Sequence, residues 1–229
     1  MAGWLAFSES RFDEALVHYA KAIGKKHQNP GLHDDRATIF YLTQRYDSAA
    51  SELRHAIDEM KKEEKKETAV IYRPKALLQY RLAYVFLKAN ASDSGKAALM
   101  RALEEDLAFY PAHITLGSLA LATGDTTAAV QEMGLAVELG PNDPYPYMRH
   151  ADLSLAVGDF AAAETSLTKV VALEPLYARP HFLLGRAAEG RKVPAEAAEH
   201  YRRFLMLASR DDREAIVARD RIKALGGAP

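Results

Sequence analysis

The sequence predicts an all-α array of helical hairpins, and three observations carry that prediction. First, three consecutive blocks of 34 residues, from Tyr110 to Asp211, lie on one another without a gap. Second, side-chain size recurs within the blocks. The eighth place holds Gly117, Ala151 and Gly185, and the twentieth holds Ala129, Ala163 and Ala197, small residues that let two helices approach closely. Met133, Leu167 and Tyr201 at the twenty-fourth place supply bulk for the next helix to pack on. Third, Gly124-Asp125 and Gly158-Asp159 fall at the hinge between paired helices, and Pro141 and Pro175 close their blocks where a proline stops a helix.

Counted backwards in the same frame, Phe12, Ala15, Tyr19 and Ala22 fill the second-helix places of a truncated first repeat, residues 1–29. Its first helix is either a short one carrying Trp4, Leu5 and Phe7, or lies partly before Met1 in a longer natural chain. The second repeat, residues 30–63, carries Ala37, Phe40, Tyr46, Ala49, Leu53 and Ala56 in the expected places. Its second helix is expected to run on through the mixed-charge stretch Asp58 to Glu67 as a solvated extension. Residues 64–75 are surplus to the period, so the frame slips by twelve there. Pro74 suits the first turn of the following helix and biases Arg73 towards an extended shape. The third repeat, residues 76–109, shows Leu82, Ala83, Phe86, Leu99 and Ala102, lacks a closing proline, and joins 110–143, 144–177 and 178–211 with no further insertion. Residues 212–229 read as a capping helix and tail. Asp211-Asp212 can cap it, Ala215, Ile216, Ile222 and Leu225 form an apolar stripe over the last open face, and Gly226-Gly227 ends it.

This pattern resembles the tetratricopeptide repeat family, which runs aromatic, Leu-Gly, aromatic, Ala, aromatic, Ala, Pro over the same period. The match lies in spacing more than in signature aromatics. The fourth place holds His113, Tyr147 and His181 where the family has Trp, and Gly95 stands where it prefers Ala. The resemblance implies a right-handed α-solenoid of five to six hairpins with a C-terminal capping helix, and a role in holding other proteins.

Composition narrows the alternatives. The chain has 229 residues, 48% of them hydrophobic and 27% charged, which is ample material for a core. A net charge of -1 supplies no basic field for nucleic acid. The absence of cysteine removes disulfides, zinc-thiolate sites and a cysteine nucleophile. No apolar run reaches the roughly 18 residues of a membrane span, and Met1 to Ser8 is too short and uncharged for a secretory signal, so a cytoplasmic protein is expected unless a signal or anchor precedes Met1.

Motifs of catalysis are missing. There is no Gly-x-Ser-x-Gly, Gly-x-Gly-x-x-Gly or His-Glu-x-x-His, and Ser94-Gly95-Lys96-Ala97 lacks both the upstream glycine and the hydroxyl residue of a phosphate loop. His33, His113 and His181 share the fourth place of separate first helices, so they are expected to serve in packing or local hydrogen bonds and not in one metal site. No catalytic residue, metal or cofactor is expected, and the chain is not expected to be an enzyme.

By resemblance, the inner surface is made by the second, fifth, ninth and twelfth places of each first helix. These assign Tyr41, Leu77, Tyr80, Tyr84, Leu87, Ile114, Tyr145, Met148, Phe182 and Arg186 to a peptide-binding groove that is apolar and rich in tyrosine. Some family members grip a terminal carboxylate with Lys and Asn or Arg spaced four apart. Here Asp34 and Thr38, Tyr80 and Tyr84, Ile114 and Ser118, or Met148 and Asp152 stand at those spacings, so that clamp is missing. Arg81, Arg149, Arg179 and Arg186 remain to meet acidic side chains along a ligand. The expected function is an adaptor or scaffold taking a helix or extended segment of a protein partner. The alternatives are a homo-oligomer assembling through the exposed N-terminal edge, and the substrate-recruiting part of a larger enzyme or anchored assembly factor.

Overall fold

The computed structural model describes residues 2–24, 29–64, 75–209 and 211–226, and every regular element among them is a helix. The helices are α1 (Ala2–Ser8), α2 (Phe12–Gly24), α3 (Pro30–Leu42), α4 (Tyr46–Glu64), α5 (Lys75–Lys88) and α6 (Ser92–Glu105). They continue as α7 (Tyr110–Ala122), α8 (Thr126–Leu139), α9 (Pro144–Val157), α10 (Phe160–Leu173), α11 (Ala178–Gly190), α12 (Pro194–Leu207) and α13 (Arg213–Ala224). The chain divides into two compact units, Met1–Ala112 and His113–Pro229. Helices pair in sequence, giving six hairpins followed by one helix; the first hairpin is built on the short seven-residue α1. Helix α4 extends to Glu64, while residues 65–74, most of the twelve surplus to the period, lie outside the described residues.

The turn inside each hairpin is made the same way. Ser10, Gln44, Asn90, Gly124, Gly158 and Lys192 all adopt positive φ, between 59° and 83°, and the intervals are 34 residues except for one of 46 between Gln44 and Asn90, which spans the surplus segment. A left-handed residue reverses the chain and frees the following residue to cap the next helix. Asp125 and Asp159 do so, each accepting a hydrogen bond at 3.0 Å from the backbone N–H three residues on. Gly226, with φ 79°, ends α13 34 residues after Lys192, so α13 takes the first-helix register of the next period. Asp212 caps it, accepting from the Glu214 N–H at 2.8 Å.

What holds each hairpin closed is a match of sizes between its eighth and twenty-fourth places. The six pairs are Gly3 with Tyr19, Ala37 with Leu53, Ala83 with Leu99, Gly117 with Met133, Ala151 with Leu167, and Gly185 with Tyr201, and all twelve residues are buried. Alanine faces leucine, and glycine faces tyrosine or methionine. A Cβ on Gly185 would lie 2.5 Å from Tyr201 Cε1, and one on Gly117 3.1 Å from Met133 Cγ. The bulky twenty-fourth residue thus packs first on its own hairpin, whereas the sequence pattern assigned it to the next helix. In the second unit the core continues from Met148 and Leu167 through Phe182, Leu183, Tyr201 and Phe204 to Ala215, Ala218 and Ile222 of α13. Helix α13 is further tied by Glu189 of α11, which accepts from the Tyr201 hydroxyl at 2.6 Å and from Arg221 Nε at 2.9 Å. Burial pushes the Tyr201 phenol up to about 12.

A candidate protein-binding groove

His33, His113 and His181 take structural places. At the fourth and twenty-third places of their hairpins, His33 Nδ1 meets Glu52 Oε2 at 2.7 Å and His113 Nδ1 meets Glu132 Oε2 at 2.7 Å. His181 stacks on His200 with ring centroids 6.1 Å apart, and its pKa is lowered by burial and then by the charges of His200 and Arg203. Among the described residues no group of three His, Cys, Asp or Glu side chains gathers as metal ligands, and no helix is long and apolar enough to cross a membrane.

In the first unit, side chains of α3 and α5 meet. Arg81 of α5 is the cross-piece: its Nη1 donates to Asp34 Oδ2 at 2.8 Å and its Nη2 to Thr38 Oγ1 at 2.5 Å. The Thr38 hydroxyl donates in turn to the Asp34 carbonyl at 3.0 Å. Asp34 and Thr38, the pair at the clamp spacing, are therefore spent on positioning Arg81, which is held in the wall of the groove. One turn further along, Tyr41 meets Tyr84 with ring centroids 5.7 Å apart, and burial followed by a hydrogen bond to Tyr84 raises the Tyr41 phenol above its usual range. Tyr80 stands edge-on to Phe109 at 5.5 Å. Between them lies a cavity of about 330 Å³, walled by Tyr41, Tyr80, Tyr84, Arg81 and Thr38, with Leu53 and Val85 beneath. Leu53 and Val85 are buried, which makes the floor apolar.

The ten residues expected to line the groove separate by place. Tyr41 and Tyr80 are half-buried and Tyr84 is 43% exposed, and these three share the cavity. Leu77 is exposed on the same helix as Tyr80 and Tyr84. Leu87 turns the other way, into the space over Gly95, where a Cβ would come within 2.6 Å of Leu87 Cδ2; this is why glycine stands where alanine was expected. In the second unit Tyr145 and Arg186 are exposed, but Ile114, Met148 and Phe182 are interior, correcting their assignment to the groove. Met148 and Phe182 belong to the core, and Phe182 packs on Tyr201 at 5.6 Å and on Phe204 at 5.3 Å. Thr38, Leu53 and Val85 were not foreseen as lining residues. Thr38 carried one signal, a hydroxyl at the ninth place of a first helix, one turn from Asp34.

The family model described as Tetratricopeptide repeat matches residues 80–144 and 148–213, more than half of the chain. The chain belongs to the tetratricopeptide repeat family. As a member it is an all-α solenoid of repeats, an architecture that serves as a scaffold for protein–protein interaction. Protein STIP1 homolog of Dictyostelium discoideum is 28% identical over 101 residues, which are 44% of this chain and 17% of that protein; the chain thus spans a small part of that relative's length. The C-terminal part of a TPR repeat-containing protein from Cytophaga hutchinsonii superposes with TM-score 0.70 at 17% identity, over 97% of this chain and 93% of that one. YrrB, described as a TPR protein with an unusual peptide-binding site, superposes with TM-score 0.62 at 16% identity, over 88% of this chain and 97% of that one. At these identities the likeness is one of fold.

Proposed function

We propose that this tetratricopeptide repeat protein is an adaptor that holds a partner protein by seating an apolar side chain of the partner in the Tyr41–Tyr80–Tyr84 cavity. The observation carrying this reading is the cavity itself: about 330 Å³ of apolar-floored space, ringed by three tyrosines, with Arg81 fixed at its side by two hydrogen bonds. That size is at the lower end of the roughly 300 to 1,000 Å³ of ligand sites and suits one large side chain better than a whole small molecule. Tyrosine suits an interface because it offers ring area at little entropic cost and a hydroxyl at the rim. The peptide-binding site of YrrB, a repeat protein of similar fold, agrees with such a use.

The test is a photo-crosslinking residue placed at the exposed Leu77 position, with a second one at Met100 on α6 as the comparison, followed by identification and isolated binding of the captured protein. Tyr80→Ala with Tyr84→Ala is expected to weaken that binding more than tenfold, at about 2 kcal/mol for each anchor. Unchanged affinity in a variant that keeps its helicity would place the contact elsewhere. A second-copy reading is favoured by Trp4 and Leu5 on α1, which are 65% and 50% exposed; a concentration-dependent mass in solution that Trp4→Ser abolishes is its signature.

A further inference from the structure

The tyrosine cavity does not end at Tyr84. Tyr46 lies 6.0 Å from Tyr41, ring to ring, and Tyr41 lies 5.7 Å from Tyr84, so a line of aromatic rings leads from the apolar cavity to a second, polar recess of about 560 Å³. Its walls include Gln44, Arg45, Tyr46, Asn90 and Lys88, with Asp47 as the acidic member. The two cations here rest on aromatic rings, as Arg36 and Arg54 of the same unit also do. Lys88 Nζ sits 5.4 Å from the centre of the Tyr84 ring, and the Arg45 guanidinium sits 4.5 Å from the centre of the Phe40 ring. Both side chains are exposed, and both rest on ring faces while Arg81 and Arg36 of the same unit are engaged with carboxylates. A cation resting on a ring keeps most of its charge available for an anion, while the ring holds it in place.

We infer that the partner segment is amphipathic and acidic, with an apolar residue in the Tyr41–Tyr80–Tyr84 cavity and one or two carboxylate side chains beyond it that meet Lys88 and Arg45. The inference rests on the tyrosine cavity being the binding groove. Its basis is the succession of an apolar recess and a recess with two cations to one acid along one continuous line of rings. Lys88 is the last residue of α5 and Arg45 stands in the turn between α3 and α4, away from the fifth and ninth places where a terminal-carboxylate clamp would stand. The carboxylates recognised are therefore those of Asp or Glu side chains within the segment, and a free chain end is not required.

The test uses the full chain and two fluorescent peptides, acetylated and amidated so that neither end is charged. They share a Leu-Leu core followed either by consecutive glutamates or by consecutive lysines, and anisotropy is read at low and high salt. The glutamate peptide is expected to bind about three- to tenfold tighter than the lysine peptide at low salt, the range that two exposed ion pairs supply, and the difference shrinks at high salt. Arg45→Glu with Lys88→Glu is expected to invert the preference with the melting temperature little changed, since both residues are at the surface. Arg45→Gln with Lys88→Gln, which keeps length without charge, is expected to abolish the preference. If both peptides bind alike and the charge variants change nothing while Tyr80→Ala with Tyr84→Ala loses both, the acidic partner is overturned and the tyrosine groove stands. If neither peptide binds, or binding ignores the tyrosines, both readings fail together.

Discussion

Adding one methyl group at Gly185 tests how the hairpins close. In the interior of a helix, Gly→Ala ordinarily stabilises by about 0.8 to 1 kcal/mol. At Gly185 the new Cβ would lie 2.5, 2.7 and 2.8 Å from three atoms of the Tyr201 ring, against the roughly 3.5 to 4.0 Å of an ordinary carbon contact, so the ring must retreat by about 1 Å. It has nowhere to go. Tyr201 is 1% exposed, lies against Phe182, and has its hydroxyl on Glu189. Overpacking of this kind costs about 1 to 3 kcal/mol, and displacing a hydroxyl from a charged acceptor adds about 1.5 kcal/mol, so Gly185→Ala should destabilise by about 1.5 to 3.5 kcal/mol after the helical gain is subtracted. Gly134 on α8, in the same unit, has nothing within 4 Å of its would-be Cβ, and Gly134→Ala should stabilise by about 1 kcal/mol. Urea midpoints at a common slope measure both. A third variant completes the argument: Gly185→Ala with Tyr201→Leu reproduces the Ala151–Leu167 pair one repeat earlier and should recover much of the loss, short of the Glu189 hydrogen bond. If Gly185→Ala raised the midpoint as Gly134→Ala does, the pairing of eighth and twenty-fourth places would be refuted.

Further outcomes are expected at three positions. Tyr201→Phe should cost about 1.5 kcal/mol through the lost bond to Glu189. Because burial raises the Tyr201 pKa from 10 to about 12, the folded chain holds that proton longer than the unfolded one; stability is therefore lost as pH rises from 10 towards 12, and Tyr201→Phe should flatten this part of the alkaline limb in thermal melts. His150 and His181 shift the other way. Burial lowers both below the ordinary 6.5, so as pH falls through 6.5 the unfolded chain takes up protons first and stability is lost, and His181→Gln should remove part of that acid-side slope in melts between neutral and mildly acid pH. Lys192→Gly should stabilise by up to about 1 kcal/mol in a urea titration, because Lys192 holds φ 63° at a turn where Gly124 and Gly158 already stand in the neighbouring repeats.

The hairpins were legible because they depend on local size and backbone freedom, both written in residue type. Small eighth and twentieth places, Gly-Asp hinges and closing prolines needed no knowledge of what lay opposite. The finer rule, glycine across from tyrosine or methionine and alanine across from leucine, is also in the sequence, and it reaches back to Gly3 and Tyr19 in the truncated first hairpin. It becomes visible once the eighth place is compared with the twenty-fourth of the same repeat, since the two helices of a hairpin meet there before either meets the next. Ser10, Gln44 and Lys192 were illegible as left-handed turns, because their residue types do not favour positive φ and they are held there by the helices on either side, whereas Asn90 is of a type enriched in that region.

The expected groove residues differ in exposure between the units, with Tyr80 half-buried but Ile114, Met148 and Phe182 interior, and the fifth place explains why. A place in the period fixes where Cβ points, and at Tyr80, Ile114, Met148 and Phe182 it points the same way relative to the helix. Where the side chain then goes depends on its tip. A phenol needs a partner or water for its hydroxyl, so Tyr80 keeps its end at the rim, half-buried and edge-on to Phe109. Isoleucine, methionine and phenylalanine carry no such obligation, and each gains by turning inward; Phe182 does so onto Tyr201 and Phe204 and is left 6% exposed. The second and ninth places lie on the outer shoulders of the same helical face, which is why Leu77, Tyr84, Tyr145 and Arg186 stay exposed whatever their type. Exchanging tips at the fifth place tests this directly. Phe182→Tyr should cost about 1 to 3 kcal/mol if the ring stays inside with an unpaired hydroxyl. Tyr80→Phe should cost less than Phe182→Tyr, because the half-buried ring keeps its edge contact with Phe109 and no hydroxyl is driven into the core. Equal effects of the two substitutions would mean that place alone, and not the chemistry of the tip, decides which residues face the groove.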